Sequence, residues 1–378
     1  MSSDWSPAPN PASAAASGLA DAATVARLRL IRTRGIGPVT YAQLLARFGS
    51  AAAALEALPT LARRGGGTPP PIADLRAVER EIAEVARIGA RHLFIDDPDY
   101  PELLAEIESA PPVLTVRGDI ALAQRTTVAM VGARNASAAA CRFARMLAQA
   151  LGERGVVIVS GLARGIDTQA HVASLATGTI GVIASGIDIA FPPENRELQE
   201  AVATRGLLLA EQPLGEEPRA RNFPSRNRII AGLALGTVVV EAAPKSGSLI
   251  TARLAAEAGR EVMAVPGSPL DPRAQGCNAL IREGATLVQT ADDILEAIRP
   301  IDPRAVRSTR HDFAGPPADD ATDRDRRTVG DLLDPVPVAV DELIRLSGLA
   351  PASVQTVLLE LELAGRLDRH AGGRVSYR

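Results

Sequence analysis

Six short loops of this chain combine small residues and cations in a way that could grip an anion. In chain order they are Val131-Gly132-Ala133-Arg134-Asn135, Ser160-Gly161-Leu162-Ala163-Arg164-Gly165-Ile166-Asp167, and Ser185-Gly186-Ile187-Asp188 with Phe191-Pro192. Then come Asn222-Phe223-Pro224-Ser225-Arg226-Asn227-Arg228, Glu241-Ala242-Ala243-Pro244-Lys245-Ser246-Gly247-Ser248, and Pro266-Gly267-Ser268. Each follows an apolar run of strand length, the fourth after a long loop from Glu211, and leads toward a helical pattern. Small residues let a ligand approach the backbone, and helix N-termini offer free amides to negative charge. Arg134, Arg226, Arg228 and Lys245 add cations, and Phe223 adds a stacking face in a chain with only 6 Phe, 3 Tyr and 1 Trp. Charge that follows a backbone, combined with a π-face, holds nucleic-acid single strands without sequence preference. Neither GxGxxG nor GxxxxGK[ST] occurs, so the pattern indicates neither a dinucleotide Rossmann enzyme nor a P-loop ATPase.

The remaining polar residues of these loops have two readings each. Asp167 and Ser248 suit helix N-caps as well as ligand contacts. His171, one turn into a helix, reads as a packed, hydrogen-bonded histidine. Glu211 and Glu241 at strand ends could act as acid and base or pair with nearby arginines. Arg226 and Arg228 straddle Asn227 at an expected helix start, where the dipole disfavours structural cations and favours a ligand-binding role. No catalytic group is assigned, because spacing alone forces no two titratable groups together.

Strands that would carry these loops fit Thr127–Val131, Val156–Ser160, Thr179–Ala184, Leu207–Ala210, Thr237–Glu241, Glu261–Val265 and Thr286–Val288. Helix-like segments lie between them at Ala138–Arg154, Thr168–Ala176, Arg226–Ala234 and Leu249–Ala258. Apolar strands alternating with helices give an α/β class: an extended Rossmann-like, doubly wound, mostly parallel sheet. It is flanked by an N-terminal helical module of helix-hairpin-helix (SAM-like) type around Arg34-Gly35-Ile36-Gly37-Pro38, and by a C-terminal winged-helix module. The expected division is 1–20 a disordered tail, 21–62 the helical module, 72–300 the sheet domain, 301–327 a linker and 328–378 the winged helix. Arg63 to Pro71, rich in Gly and Pro, reads as a further linker. The expected recognition helix, Ala352 to Leu363, carries Glu360 and Glu362 and no arginine. Its acid would repel DNA, which points to a partner-binding or regulatory module.

Composition sets the outer bounds. The chain has 378 residues, 46% hydrophobic and 22% charged, enough for sizeable cores. Two cysteines and four histidines, with no HExxH or paired CxxC, give no expected metal site, disulfide framework or cofactor. A net charge of −3 argues against a globally basic coat while leaving room for a local basic groove. No apolar run approaches a membrane span and the N-terminus does not read as a signal peptide, so a cytoplasmic protein with no membrane partner is expected.

The ordered set VGARNAS, SGLARGIDTQAH, FPPEN, NFPSRNRIIAGL, VVVEAAPKSGSLITA and AVPG resembles the DNA processing protein A (DprA/Smf) family over about Asp97 to Ile298. Asp99-Tyr100-Pro101 upstream fits as well. The resemblance implies a cytoplasmic, non-enzymatic protein that binds single-stranded DNA on an extended Rossmann domain and dimerises through it. It also implies loading of RecA recombinase onto incoming DNA in natural transformation, past single-strand-binding protein. Carried over, the DNA pocket comprises Gly132, Arg134, Phe223, Arg226, Asn227 and Arg228, faced by a phosphate-contact loop of Ser246, Gly247 and Ser248. Lys245 joins them from its charge and place alone.

The chain departs from the family pattern at Ala133, where serine is frequent, at Phe191-Pro192-Pro193, where Tyr-Pro and a basic residue are frequent, and at Ala210-Glu211. Two other classes share the framework. One is a lysine-decarboxylase-like (LOG) phosphoribohydrolase, whose PGGxGTxxE corresponds to Lys245–Thr251 here without the glycine pair or the acid. The other is a nucleotide sensor feeding the winged helix.

Overall fold

The computed structural model describes residues 21–299, 320–370 and 372–378. The expected tail 1–20 and positions 301–319 of the expected linker lie outside them. The chain opens with helices α1 (Ala22–Arg32), α2 (Pro38–Phe48), α3 (Ala51–Arg64) and α4 (Leu75–Arg87), then strand β1 (Arg91–Phe94), α5 (Glu102–Ala105) and β2 (Val113–Gly118). Next come β3 (Thr127–Val131), α6 (Ala138–Glu153), β4 (Val157–Ser160), α7 (Ile166–Ser174), β5 (Thr179–Ile183), α8 (Arg196–Arg205) and β6 (Leu207–Ala210). The second half of the sheet is α9 (Asn222–Gly232), β7 (Gly236–Val239), α10 (Gly247–Glu257), β8 (Glu261–Ala264), α11 (Gln275–Arg282), β9 (Thr286–Leu287) and α12 (Ala291–Ala297). The chain ends with α13 (Asp323–Asp331), β10 (Val338–Ala339), α14 (Val340–Ser347), α15 (Pro351–Leu363), β11 (Leu367–His370) and β12 (Arg374–Tyr377).

Two compact units result. One gathers the described residues up to Ile36 with Leu44–Ile82 and Asp323–Arg378; the other holds Gly37–Gln43 and Ala83–Thr322. The larger unit is a nine-stranded sheet in the order β1-β2-β6-β5-β4-β3-β7-β8-β9. Strands from β6 to β9 in that order run parallel, whereas β2 is antiparallel to β6 and β1 to β2. Period-two alternation divides the side chains between faces. Ala129 and Val131 of β3 join a core with Ile229 and Ile230 of α9, Ala252 of α10 and Cys277 of α11. Val128 and Met130 turn to the other face, against Ala144, Leu147 and Leu151 of α6 and Ala170 of α7. Burial on both faces explains why these strands read as continuous apolar runs.

The turn after β4 is fixed by buried polar groups. Leu162 sits at φ 56°, a conformation unfavourable for a leucine. Its amide donates to Nε2 of His171 at 3.3 Å, and its carbonyl accepts from Nδ2 of Asn195 at 2.8 Å. His171 is 0% exposed, with Nδ1 2.8 Å from the Thr179 hydroxyl. Because Nε2 accepts, the ring is neutral; burial pushes its pKa down to about 3.

The smaller unit joins the two ends of the chain. Three-stranded sheet β10-β12-β11 with α13, α14 and α15 forms the winged helix. Its central helix, α15, packs on α3 of the N-terminal module. Arg47 donates to the Thr356 hydroxyl at 2.9 Å and Arg366 to the Gly65 carbonyl at 3.3 Å. Glu360 is 1% exposed and takes both arms of Arg326, at 2.8 and 2.9 Å. Glu362 accepts from Arg369 at 2.8 Å. The two acids that were expected to repel DNA are therefore neutralised inside the unit. The face of α15 that carries Thr356 and Glu360 is covered by the chain's own N-terminal module. Two linker boundaries also change: α3 runs on to Arg64, and α13 starts at Asp323.

Gly65 → Val tests the joint. A Cβ at Gly65 would stand 2.0 Å from the Glu360 carbonyl oxygen, a backbone atom. The substitution should destabilise the unit by roughly 1–3 kcal/mol. It should raise hydrogen exchange in α3 and α15 together and leave β3, β4 and β5 unchanged. His171 gives a second expectation. Folded His171 refuses a proton until about pH 3, while the unfolded chain takes one near its ordinary 6.5. Its contribution is therefore intact above pH 6.5 and lost as pH falls toward 3, by up to about 1.4 kcal/mol per pH unit. His171→Gln should flatten the dependence of the urea midpoint on pH between 6.5 and 4.

Candidate nucleic-acid interface

Strand order places the site. From β3 the chain steps to β4, β5 and β6 on one side, then returns to β7, β8 and β9 on the other. The loops after β3 and β7 therefore diverge and leave a crevice at the strands' carboxyl ends, where open α/β sheets bind ligands. The Ala133 amide donates to the Glu241 carbonyl at 2.7 Å, tying the two loops together at their base. Glu241 also accepts from the Ser137 amide at 3.0 Å and the Ser137 hydroxyl at 2.7 Å, while Ser137 caps α6 through the Ala140 amide. Gly165, at φ 74°, lets the loop after β4 close on the first: a Cβ there would lie 2.2 Å from the Ala133 carbonyl.

Two cavities share this crevice. The first, of about 140 Å³, is walled by Phe191, Pro192, Pro193, Pro218 and Phe223, with Arg134, Arg164 and Arg226 as its cations. The Phe191 and Phe223 rings stand 5.9 Å apart at 60°. The Arg134 guanidinium lies over the Phe223 ring, 5.2 Å from its centre, a cation–π contact. The second cavity, of about 610 Å³, is lined by Gly132, Arg134, Phe223, Arg226, Asn227, Lys245, Ser246, Gly247 and Ser248, together with Arg273 and Thr251. Nine of the ten residues expected from the sequence thus line one continuous crevice. Lys245 is exposed there. Asn227 donates to the Gly247 carbonyl at 3.4 Å, and Ser246 rather than Ser248 caps α10, its hydroxyl 2.7 Å from that of Ser248.

Arg228 stands apart. Its guanidinium donates to Glu211 and to the Ser109 carbonyl, and it lines neither cavity. Helix α9 starts at Asn222 rather than Arg226. Both arginines therefore fall a turn into the helix, and two residues of separation turn them to different faces. The dipole argument that paired them fails with the shifted start. Asp167 is also not an N-cap: Gly165 holds that place, and the Asp167 carboxylate accepts from the Gly161 and Ala163 amides at 3.1 and 3.3 Å. Burial raises its pKa against the pull of Arg226 and those amides. Phe191, Arg164 and Arg273 were not singled out from the sequence. Phe191 and Arg164 were legible inside FPPEN and SGLARGID, whereas Arg273, paired with Asp271 at 2.9 Å, had no such signal.

Comparison with known proteins bears directly on this geometry. Residues 91–299 match the profile of DNA recombination-mediator protein A, 21–83 that of a DprA-like N-terminal HHH domain and 314–373 that of a DprA winged helix domain. Protein Smf of Synechocystis is 37% identical over 331 residues, covering 79% of this chain and 82% of the relative. DNA processing protein DprA of Streptococcus pneumoniae is 47% identical over 201 residues, 53% of this chain and 71% of its own. The solved structure of that S. pneumoniae protein superposes with a TM-score of 0.62 at 34% identity, over 72% of this chain and 96% of the other. A Helicobacter pylori DprA, solved for its single-stranded DNA binding mode, gives 0.51 at 26% identity, over 54% and 94%. With all three domains matched and the crevice built from the loops that carry the sequence resemblance, the chain belongs to the DprA/Smf family of DNA recombination-mediator proteins.

Proposed function

We propose that this protein binds single-stranded DNA in the crevice between β3 and β7 and acts in DNA processing during transformation, without catalytic turnover. The observation that carries the reading is the Phe223 ring, in contact with the Arg134 guanidinium and the Phe191 ring, in the wall of an arginine-lined cleft. Such a cleft suits an unpaired base, whose face is free to stack, while Arg134, Lys245 and the positive end of the α10 dipole take phosphates. Duplex DNA presents its bases already stacked and fits less well. Arg228, tied to Glu211 and Ser109, has a structural role in this scheme. Loading of RecA onto the bound strand, displacement of single-strand-binding protein and dimerisation through the sheet unit complete the proposal. They are supported by membership of the family. An enzymatic reading has less support: Glu211 is engaged by Arg228 and Glu241 by Ser137, so neither carboxylate is placed as a free base.

Titration of labelled oligothymidylate against the full chain tests the reading. Arg134→Ala should flatten the slope of log affinity against log salt by about 0.7, the single-strand value for one neutralised phosphate. Phe223→Ala should cost roughly 1–3 kcal/mol and leave the slope nearly unchanged, since stacking releases no counterions. Equal affinity for duplex and single strand, with both variants silent, would place the site elsewhere. Release of free base from a nucleoside monophosphate, abolished by Glu241→Ala, would establish the enzyme instead.

A further inference from the structure

Arg226 is an unusual arginine. It is 6% exposed, yet among the described residues it makes one hydrogen bond, from Nη1 to the Val182 carbonyl at 3.4 Å. Its Nε is buried with no partner. A guanidinium carries five N–H donors, and a buried one normally has them taken by acceptors or a carboxylate. Burial here lowers its pKa, offset in part by the charge of Asp167. The side chain borders both cavities of the crevice.

What holds this side chain is the loop after β4. A Cβ on Gly161 would lie 1.3 Å from Nη1 of Arg226, 2.4 Å from its Cζ and 2.8 Å from Oδ2 of Asp167. The guanidinium thus occupies the space that any other residue at 161 would fill. Asp167, 6% exposed, stands beside the same space, fixed by the Gly161 and Ala163 amides. The strained Leu162 between those amides is pinned by His171 and Asn195, so the loop has no slack with which to yield.

We infer that Gly161 and Asp167 are positioning residues for Arg226: the glycine leaves the hole, the carboxylate anchors the charge, and the uncommitted donors are kept for a phosphodiester oxygen of the bound strand. The assignment rests on the DNA-binding reading, but its first test is independent of DNA. In the full-length protein, Gly161→Ala and the volume-conserving Asp167→Asn should each move the Arg226 Nε–Hε resonance in the absence of any ligand. An unmoved resonance in both overturns the seat, whatever the crevice binds. Oligothymidylate titration is the second test. Gly161→Ala should weaken binding by roughly tenfold, the worth of one charge-assisted hydrogen bond. It should also flatten the salt slope by about 0.7, as Arg226→Ala does. Added to Arg226→Ala, it should cost nothing further. A loss of the same size in both backgrounds, with the slope intact, makes the glycine merely structural and overturns the inference. A resonance that moves while Arg226→Ala binds as tightly as the parent leaves the seat standing and refutes its service to DNA. Should Gly161→Ala fail to fold, the Asp167→Asn resonance still decides.

Discussion

The reversal of strand order at β3 is the constraint from which the site follows. Crossovers leaving β3 and β7 go to opposite sides of the sheet, so the loops after these strands cannot pack on one another along their length. A crevice is unavoidable there, and water or a ligand must fill it. The sequence answers with residues suited to close backbone approach, held at the base by the Ala133–Glu241 hydrogen bond and by the contact at Gly165. The rest of the larger unit, with apolar cores on both faces of the sheet, keeps these loops from collapsing into the gap.

Much of this was legible before any coordinates. Apolar runs gave the strands of the parallel sheet to within a residue or two, because strands buried on both faces leave a continuous hydrophobic trace. The loops were legible because glycine, proline and arginine cluster at the ends of the apolar runs. The antiparallel pair β1 and β2 was less so, because its pairing depends on contacts distant in sequence. Arg228 shows a different failure. Both arginines lie inside α9, where two residues turn the side chain by about 200°, so the charge next to crevice-lining Arg226 faces Glu211 instead.

The winged helix teaches a related lesson about charge. Acid on a recognition helix was read as repulsion toward DNA, which treats Glu360 and Glu362 as solvent-facing. In the fold both are taken up by arginines, Arg326 and Arg369, and Glu360 is almost fully buried. Residue type alone could not distinguish a repelling surface from an internal ion pair, because the partner Arg326 lies on α13, outside the helix being read. The same burial explains why the small residues from Gly65 to Gly67, which look like a flexible tether, are part of a tight backbone contact instead.

The joining of both chain ends into one unit has a consequence for how the protein is made. Ala83–Thr322, apart from the short α2 segment that sides with it, is in effect an insertion within a discontinuous unit. As the polypeptide leaves the ribosome, α3 emerges well before its partner α15. The sheet is complete in between, and domains generally fold as units in order of synthesis. The N-terminal helices must therefore wait, with an apolar face uncovered, until α15 has emerged. That interval is when a nascent chain has most need of a chaperone.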